Sequence, residues 1–436
     1  MRLRPRGGLW DHGDFLRLWT GQTISEFGSQ VSQLALPWVA LVTLRSSAFA
    51  VATLATVEFL PFVLFTLPAG VWVDRLPRRS VLIAGDLGRA VLLASIPVAY
   101  VLDALTLPQL YVVGFLVGIF TVFFDVAYQS YLPSLVDREA LVESNSKLQV
   151  TASGAQFAGP GVAGLLIRIA TAPYALLVDS VSFIVSGGFT IAIRRRERPP
   201  AREGRGKLLP ELWEGLRYVV GHRYLLPQAL STGSSNFFTQ LSFAILLVYA
   251  HRSLGLSSFW IGLAFSLGSL GWMLGAAAAD RMRRWFGVGG ATMIGAALTG
   301  PAALLYPLAP IGFPIPFLVA GGSLMGFGAV VYNIQQVSLR QAITPERLQG
   351  RMNATMRFLV WGTMPLGSLT GGLLAVTIGL RPTLFVGAAG AFFSVLPIVF
   401  SPIRGLRDFP EPESDPLLLH EAGVVAAPGG PAAADA

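Results

Sequence analysis

Long apolar runs recur along nearly the whole chain, and they limit the folds that it can adopt. A helix of about 20 apolar residues spans the roughly 30 Å of hydrocarbon in a bilayer. Of the 436 residues, 53% are hydrophobic and only 13% are charged. That composition leaves too little polar surface to cover a soluble protein of this size. The sequence therefore predicts an all-α integral membrane protein.

The apolar runs are predicted to form twelve transmembrane helices in two groups of six. The first group lies near 18–44, 48–72, 80–102, 107–129, 150–170 and 173–193. The second lies near 225–250, 258–279, 288–309, 314–338, 358–379 and 382–402. The resulting regions are a leader at 1–17, a six-helix half at 18–193, a linker at 194–224, a second six-helix half at 225–402 and a tail at 403–436.

The three regions outside the two halves are polar. The leader lacks the short apolar core of a signal peptide, so we expect it to remain in the cytoplasm. The linker is rich in arginine, and the spacing of Leu208, Leu212 and Leu216 predicts a short amphipathic helix on the membrane surface. The tail is rich in Ala, Pro and Gly, and we expect it to be disordered.

Basic residues are divided unequally between the two sides of the predicted bundle. Of the 32 Lys and Arg residues, only Arg45, Arg168, Arg252 and Arg381 fall in loops on one side. Since cytoplasmic loops carry the excess of Lys and Arg, both termini and the linker are predicted to be cytoplasmic. Membrane topology therefore accounts for the formal charge of +8, and nucleic-acid binding is not expected.

Several kinds of chemistry are missing from the sequence. With no cysteine, the chain has no disulfide and no thiolate metal site. We expect the four histidines to lie in loops or tails, where they form neither a metal site nor a buried proton relay: His12, His222, His251 and His420. No phosphate-binding loop and no nucleophile paired with a base is present. The chain is therefore not expected to be an enzyme or to hold a cofactor.

The two halves are related by spacing. An offset of 208 residues aligns Gly118 with Gly326 and Asp125 with Asn333. A charge cluster after the second span recurs as Asp280-Arg281-Met282-Arg283-Arg284 in the second half. These correspondences indicate an internal duplication, as in many membrane transporters.

The charge cluster itself contains Gly70, Asp74, Arg75, Arg78 and Arg79. A carboxylate at a helix N-terminus is stabilised by the helix dipole, and a partly desolvated Asp/Arg network can hold two bundles together on one side. We therefore expect a conformational latch that forms when the cytoplasmic side closes. The alternative is that the arginines only determine topology.

The cluster resembles the signature that follows helix 2 in the major facilitator superfamily, with Pro77 where glycine is usual. The resemblance covers residues 15–405 and implies the fold of that family, with twelve helices in two six-helix halves. In that family an acid at the cytoplasmic end of helix 4 joins the cluster. Asp125 stands at that position and is therefore included in the predicted latch.

Ionisable residues inside the spans are costly unless they face a partner or a cavity. Glu26 lies roughly 12 Å from the cytoplasmic edge and Glu58 roughly 15 Å from the outer edge, so either could load and release a proton as access alternates. The alternative is a carboxyl held by local hydrogen bonds. Asp86 and Arg89, one turn apart, are predicted to form a structural ion pair. The other candidate polar contacts for a substrate are Gln30, Asn236, Gln240 and Asn333.

Helix 5 contains Gly159, Pro160 and Gly164, which resemble the antiporter motif of the superfamily. The match is partial, since Ala155 stands where glycine is usual, and close helix packing is the alternative explanation. The segment Tyr131–Glu139, the following Asn145 in the same loop, and the entry to helix 1 resemble the branch of macrolide-efflux and siderophore-export proteins.

Together these features predict a monomeric secondary transporter in the bacterial cytoplasmic membrane. It is expected to export a hydrophobic or amphipathic small molecule by alternating access, driven by the proton gradient as an antiporter. An importer or lipid flippase on the same fold is one alternative. A membrane scaffold or sensor that no longer transports is another.

Overall fold

The computed structural model describes Leu9 and residues 12–73, 75–136, 140–195 and 208–410, and every regular element in these ranges is a helix. The first half contains α1 (Gly13–Trp38), α2 (Ala48–Val73), α3 (Arg78–Val101), α4 (Leu107–Leu135), α5 (Leu141–Ala170) and α6 (Ala172–Ile191). The second half follows α7 (Leu208–Gly221) and contains α8 (Leu225–Arg252), α9 (Ser258–Gly268), α10 (Leu270–Ala297), α11 (Thr299–Leu308), α12 (Ile315–Ile343), α13 (Glu346–Trp361), α14 (Thr363–Thr377), α15 (Leu380–Phe393) and α16 (Leu396–Val399). The predicted all-α architecture is confirmed.

Nine helical segments in the described ranges are long and apolar enough to cross a membrane. One of them, Ser258–Leu308, turns back at Gly287, whose φ of 73° separates two helical arms. The helices α1 and α8 have 26 and 28 residues but are too polar to be among the nine. Counting both arms and adding α1 and α8 would give the predicted twelve, and that number stays a prediction.

Several helices extend beyond the predicted spans. Helix α4 ends at Leu135 instead of 129, α5 begins at Leu141 instead of 150, and α13 begins at Glu346 instead of 358. Asn145, predicted to lie in a loop, is therefore in the first turns of α5. Hydropathy follows the hydrocarbon layer, whereas backbone hydrogen bonding continues the helix into the polar region beyond it.

The two ends of the bundle differ in charge. We call the end that carries Arg75–Arg79, Arg194–Arg195 and Arg281–Arg284 the basic end, and the other the opposite end. At the opposite end one buried hydrophobic cluster contains residues of both halves, among them Val51 of α2 and Ala375 of α14. The halves are therefore packed together at the opposite end.

Small residues allow this close packing. A Cβ added at Gly372 of α14 would lie 2.6 Å from the Cβ of Ala52 in α2. A polar contact crosses between the halves nearby, where Arg252 donates to the carbonyl oxygen of Ser46 at 2.6 Å. Further along α2, Phe59 still contacts Trp361 of α13, with 6.2 Å between ring centroids.

The basic end is open. Its buried residues form separate hydrophobic clusters within the described ranges, one around Phe15 and Leu82 in the first half and two in the second, around Tyr332 and Met352 and around Ala279 and Ala291. Between α2 and α13, a cavity of about 270 Å³ separates Thr66 from the facing residues of α13. The bundle is thus closed at the opposite end and open at the basic end.

The linker helix α7 packs against the end of the second half. Glu214 of α7 forms an ion pair with Arg347 of α13 at 3.1 Å and another with Arg351. Gly215 of α7 lies against the backbone of Arg351, and a Cβ there would be 2.7 Å from its carbonyl oxygen. The predicted helix is present, and it is docked on protein. Residues 196–207 of the linker lie outside the described ranges.

The beginning of the predicted tail is ordered against α10. The backbone N–H groups of Val288 and Gly289 donate to the carbonyl oxygens of Arg407 and Leu406 at 3.1 and 2.8 Å. The prediction of disorder from residue 403 onward is therefore wrong for residues 403–410, because these backbone groups have partners in α10. Residues 411–436 lie outside the described ranges.

Asp14 joins the start of α1 to the end of α6. Its carboxylate accepts hydrogen bonds from the backbone N–H groups of Arg194 and Arg195 at 3.0 and 2.9 Å, and from the guanidinium of Arg17 at 2.6 Å. Partial burial opposes ionisation, but these donors outweigh it, so the pKa of Asp14 lies below its ordinary value.

We predict that Asp14→Asn lowers the free energy of unfolding at neutral pH by a few tenths to about 1 kcal/mol. Because the folded-state pKa is the lower one, the stabilisation is complete above the unfolded pKa of about 4 and is lost as pH falls through the folded pKa. Thermal unfolding of wild type, Asp14→Asn and the exposed control Asp408→Asn at several pH values measures this effect. A difference between Asp14→Asn and wild type that does not change with pH would contradict it.

Candidate functional site

Arg89 is the centre of a buried polar network in the first half. It lies inside α3 and is 5% exposed. Its Nη2 donates to Oδ1 of Asp86 at 2.7 Å, and Asp86 is fully buried. The guanidinium also lies over the rings of Phe124 and Phe183, at 4.3 and 4.1 Å from their centroids. The predicted Asp86–Arg89 ion pair is therefore present, and aromatic rings flank it.

Three more acids belong to this network, each from a different helix. Asp179 of α6, Asp125 of α4 and Glu26 of α1 interact electrostatically with Arg89. Asp179 is 1% exposed, and its Oδ1 accepts a hydrogen bond from Ser182 at 3.1 Å. We call Glu26, Asp86, Arg89, Asp125 and Asp179 the Arg89 network.

The carboxyl groups of the Arg89 network outnumber its guanidinium group by four to one. Arg357 of α13 also interacts electrostatically with Asp125 from the other half. In a medium of low dielectric constant, carboxylates without a compensating cation are costly, and protonation or a further cation would lower that cost. This composition suits a site that binds and releases protons.

Part of the network is accessible to solvent. Glu26 and Tyr128 line a cavity of about 640 Å³ together with Asn145 and Gln149 from the first turns of α5, at the basic end. Asp125 is exposed although it lies inside the bundle. Protons can therefore reach Glu26 and Asp125 from the basic end in this conformation.

Glu58 belongs to a different cavity, where the two halves meet. A space of about 130 Å³ is lined by Glu58 of α2 and Gln240 of α8. Gly114 of α4 packs on the Glu58 side chain, since an added Cβ would lie 3.0 Å from its Cγ. Two of the predicted residues, one from each half, are thus brought together.

The largest of these cavities, about 720 Å³, lies in the second half between α8, α12 and α13. We call it the second-half cavity. The predicted residues Asn236 and Asn333 both line it. The Nδ2 of Asn236 donates to the carbonyl oxygen of Val360 at 3.2 Å, and the Oδ1 of Asn333 accepts from Gln336 at 3.1 Å.

Two arginines of this cavity, Arg340 and Arg357, were not predicted as site residues. Asn333, Gln336 and Arg340 have i, i+3 and i+7 spacing, which places them on one face of α12. That spacing is a sequence signal by which Arg340 can be assigned to the same site as Asn333. Because both arginines lie near the basic end, the distribution of charge between the loops explains them equally well as determinants of topology.

The antiporter-like motif of α5 is a packing surface. Gly159 faces α1, where an added Cβ would collide with the side chain of Gln30, and Gln30 is buried. Gly164 faces α9 of the other half and would collide with the carbonyl oxygen of Ser258. Helix α5 therefore packs closely against helices of both halves.

The contact continues along α9. A Cβ at Gly262 would collide with the carbonyl oxygen of Pro160, and the Oγ of Ser266 donates to the carbonyl oxygen of Phe157. The Oγ of Ser258 donates to the carbonyl oxygen of Gly164 at 3.1 Å. The motif thus helps to close the opposite end, and its role in antiport stays a prediction.

The predicted latch stays a prediction, because the structure does not describe all of its members. Asp74 lies outside the described residues. Arg75 is exposed, Arg78 is half-buried, and a Cβ at Gly70 would meet nothing within 4 Å. The guanidinium of Arg79 donates to the carbonyl oxygens of Thr190 and Ile191, which end α6 in the same half.

Asp125 lies ten residues before Leu135, the last residue of α4, or about 15 Å inside the helix end. Helix α4 continues beyond the apolar run that ends near residue 129, and the place of Asp125 in the latch stays a prediction. Asp125 interacts there with Arg89, Glu26 and Arg357.

The histidines differ in part from the prediction. His251 lies in the last turn of α8 and contacts Trp38, and His222 is buried beside Tyr224. His420 lies outside the described residues. In the described part of the chain, no group of three or more His, Asp or Glu residues is arranged to hold a metal ion.

Comparison with known proteins places this geometry in context. The sequence profile of the Major Facilitator Superfamily matches residues 18–362. The multidrug efflux pump Tap of Mycolicibacterium fortuitum is 28% identical over 82% of this chain and 88% of its own length. Macrolide efflux protein A of Streptococcus pyogenes is 25% identical over 84% of this chain and 90% of its own.

Among solved structures, a bacterial homologue of the iron transporter ferroportin has the same fold. Its inward-facing structure matches with a TM-score of 0.72 at 18% identity, over 88% of this chain and 98% of its own. Its outward-facing structure matches over the same shares with a TM-score of 0.59.

We predict that Gly262→Val forces α5 and α9 apart and opens the opposite end, at a cost of about 1–3 kcal/mol in stability. Since the chain has no cysteine, a single Ala52→Cys at the contact between the halves reports opening by its rate of maleimide labelling. Labelling should be several times faster in the Gly262→Val background. Gly154→Val is the matched control, because an added Cβ there meets nothing within 4 Å. Equal labelling rates in both backgrounds would contradict the packing role.

Proposed function

The chain belongs to the major facilitator superfamily, and we propose on that premise that it exports a hydrophobic or amphipathic small molecule in exchange for protons. It is a multi-pass membrane transporter with a small-molecule substrate, and not an enzyme. The observation that carries the proposal is the Arg89 network. It contains an excess of carboxyl groups and reaches solvent at one end of a bundle that is sealed at the other.

We assign the basic end to the cytoplasm, with both chain termini on that side of a bacterial cytoplasmic membrane. The assignment follows the excess of arginine in the loops at that end, and the efflux relatives are bacterial. The conformation is then inward-facing. The higher TM-score with the inward-facing ferroportin homologue supports this assignment.

Within the network, we assign different roles to exposed and buried acids. Asp86 and Asp179 are almost fully buried, and they hold Arg89 in place. Glu26 lines the cavity at the basic end and Asp125 is exposed, so these two acids exchange protons with the cytoplasm. Glu58 is a second candidate, because it lies with Gln240 in a cavity between the halves that changes shape when the halves move.

The exchange follows from the cost of burying charge. In the inward-facing state, Glu26 and Asp125 release protons and become ionised, and closing the basic end would then remove water from two carboxylates. Bound cargo or newly bound protons lower that cost, so the transporter changes conformation only when loaded. Cargo leaves on the outer side, and protons bind there before the return.

Cargo is proposed to enter from the cytoplasm into the second-half cavity and the neighbouring cavity between α2 and α13. The cavity offers amides at Asn236 and Asn333, with aromatic surface at Trp272 and Trp361. Such a surface suits hydrophobic and amphipathic molecules. The names of the relatives, a multidrug pump and a macrolide efflux protein, support export of this class of compound.

The latch is proposed to form when the basic end closes. Gly70 of α2 and Gly350 of α13 both lie toward the basic end and have no neighbouring atom within 4 Å of an added Cβ. Glycine at both positions would allow the two helices to approach each other in the outward-facing state. Asp74, Arg75 and Arg78 lie next to this contact in the chain.

We predict that Glu26→Gln and Asp125→Asn abolish proton-coupled transport without preventing membrane insertion. In everted vesicles with an acidified lumen, adding a macrolide should release protons through the wild type. Proton release through both variants should fall to the level of vesicles without the protein, because a side-chain amide does not bind a proton at the pH values of the assay. Glu143→Gln is the matched control, since Glu143 is 51% exposed and pairs with Lys147 at 3.1 Å outside the network.

The same assay separates the alternatives. Unchanged proton release in both Glu26→Gln and Asp125→Asn would remove the network from coupling. Macrolide accumulation in right-side-out vesicles would indicate an importer. Lipid movement without macrolide flux would indicate a flippase, and no flux of any compound would favour a scaffold or sensor.

A further inference from the structure

Arg340 of α12 is half-buried, and among the described residues it has no carboxylate partner of the kind that Arg89 has. Its Nε is buried and has no hydrogen-bond partner in the part of the chain that the structure describes. Its electrostatic partner is the phenol of Tyr332, whereas Arg89 has Asp86. A guanidinium nitrogen that is removed from water without a partner among the described residues is suited to an anion from outside the protein.

The surroundings of Arg340 form a ligand pocket. It lines the second-half cavity, whose volume of about 720 Å³ is in the range of small-molecule sites, roughly 300–1,000 Å³. The Oε1 of Gln336, one turn away, is also buried without a partner among the described residues. Tyr332, Trp272 and Trp361 supply aromatic surface to the same cavity.

A simpler explanation for Arg340 is its place in the last turn of α12, where a cation is stabilised by the helix dipole. That effect requires only an exposed or snorkelling side chain. It does not require a buried Nε in a cavity lined by aromatic rings and amides. A nearby second guanidinium, that of Arg357 over the Trp361 ring at 4.8 Å, makes this wall more positive.

We propose that the second-half cavity binds cargo through an anionic group, a carboxylate or phosphate, held by Arg340. The apolar body of the cargo packs on Trp272, Tyr332 and Trp361. This inference rests on the proposed export function and names its substrate class, an amphipathic aromatic anion. Arg340 binds the charged group of the cargo in the second half of the chain, while Glu26 and Asp125 bind and release protons in the first half.

Three naphthalene probes of similar size test the proposal: 1-naphthaleneacetate, 1-naphthaleneacetamide and 2-(1-naphthyl)ethylammonium. Their binding to the full chain in phosphatidylcholine nanodiscs is measured by calorimetry. The carboxylate should bind the wild type more tightly than the other two. In Arg340→Gln its affinity should fall by about tenfold or more, because a charge-assisted hydrogen bond is lost. Arg340→Lys should recover part of it, since the charge remains but the planar donor fork is absent.

Arg281→Gln is the matched control, because Arg281 lies over Trp285 outside the cavity, and it should bind as the wild type does. Absence of a carboxylate preference in the wild type, a preference for the ammonium probe, or a carboxylate preference that survives Arg340→Gln would each overturn the proposal. Thermal unfolding of Arg340→Gln without ligand verifies that it folds.

A second arm identifies the source of the anion. In nanodiscs that contain phosphatidylglycerol, weaker binding of naphthaleneacetate to the wild type assigns the site to lipid headgroups. Unchanged binding assigns it to soluble cargo. Proton release driven by naphthaleneacetate is recorded for the same protein variants in everted vesicles. Arg340-dependent binding without any proton-coupled flux would support the anion site and refute the exporter. Proton-coupled flux without Arg340-dependent binding would support the exporter and refute the anion site.

Discussion

A guanidinium group inside a membrane bundle is stable only when carboxyl groups and aromatic rings replace the water that it loses. Arg89 meets this requirement with acids from four helices and two phenylalanine rings. The constraint fixes the positions of α1, α3, α4 and α6 relative to one another. Removal of one buried partner such as Asp86 would leave an uncompensated charge, at a cost of about 3–5 kcal/mol.

The same constraint links the charge of the network to the movement of the halves. Glycines at the contact of α5 with α9 let backbones touch at the opposite end. Glu26 lines a cavity between α1, α4 and α5 at the basic end, and Asp125 is exposed, so we expect the hydration of both carboxyl groups to fall when the basic end closes. A change in protonation therefore changes the relative stability of the open and closed states.

Much of the fold follows from apolar runs and loop charge, and the sequence also predicts the Asp86–Arg89 pair from its spacing. The distance of Asp125 from the end of α4 could not be predicted, because hydropathy does not register the helical turns of α4 beyond the hydrocarbon. The convergence of Asp179 and Asp125 on Arg89 depends on how helices pack, which a single sequence does not reveal. A single sequence also does not identify Arg340 as a site residue, since a basic residue near a helix end is explained equally well as a determinant of membrane topology.

The most direct measurement is the distance between spin labels across the basic end, at Leu76→Cys and Gln341→Cys, two exposed positions, in protein without cargo. At alkaline pH we predict one long distance, because ionised carboxylates keep the basic end open. At acidic pH a second, shorter distance should appear, as protonation permits closure. The double variant Glu26→Gln/Asp125→Asn should show both distances at either pH. A wild-type distribution that does not change with pH, or a pH response that persists in the double variant, would contradict the central role of these two acids.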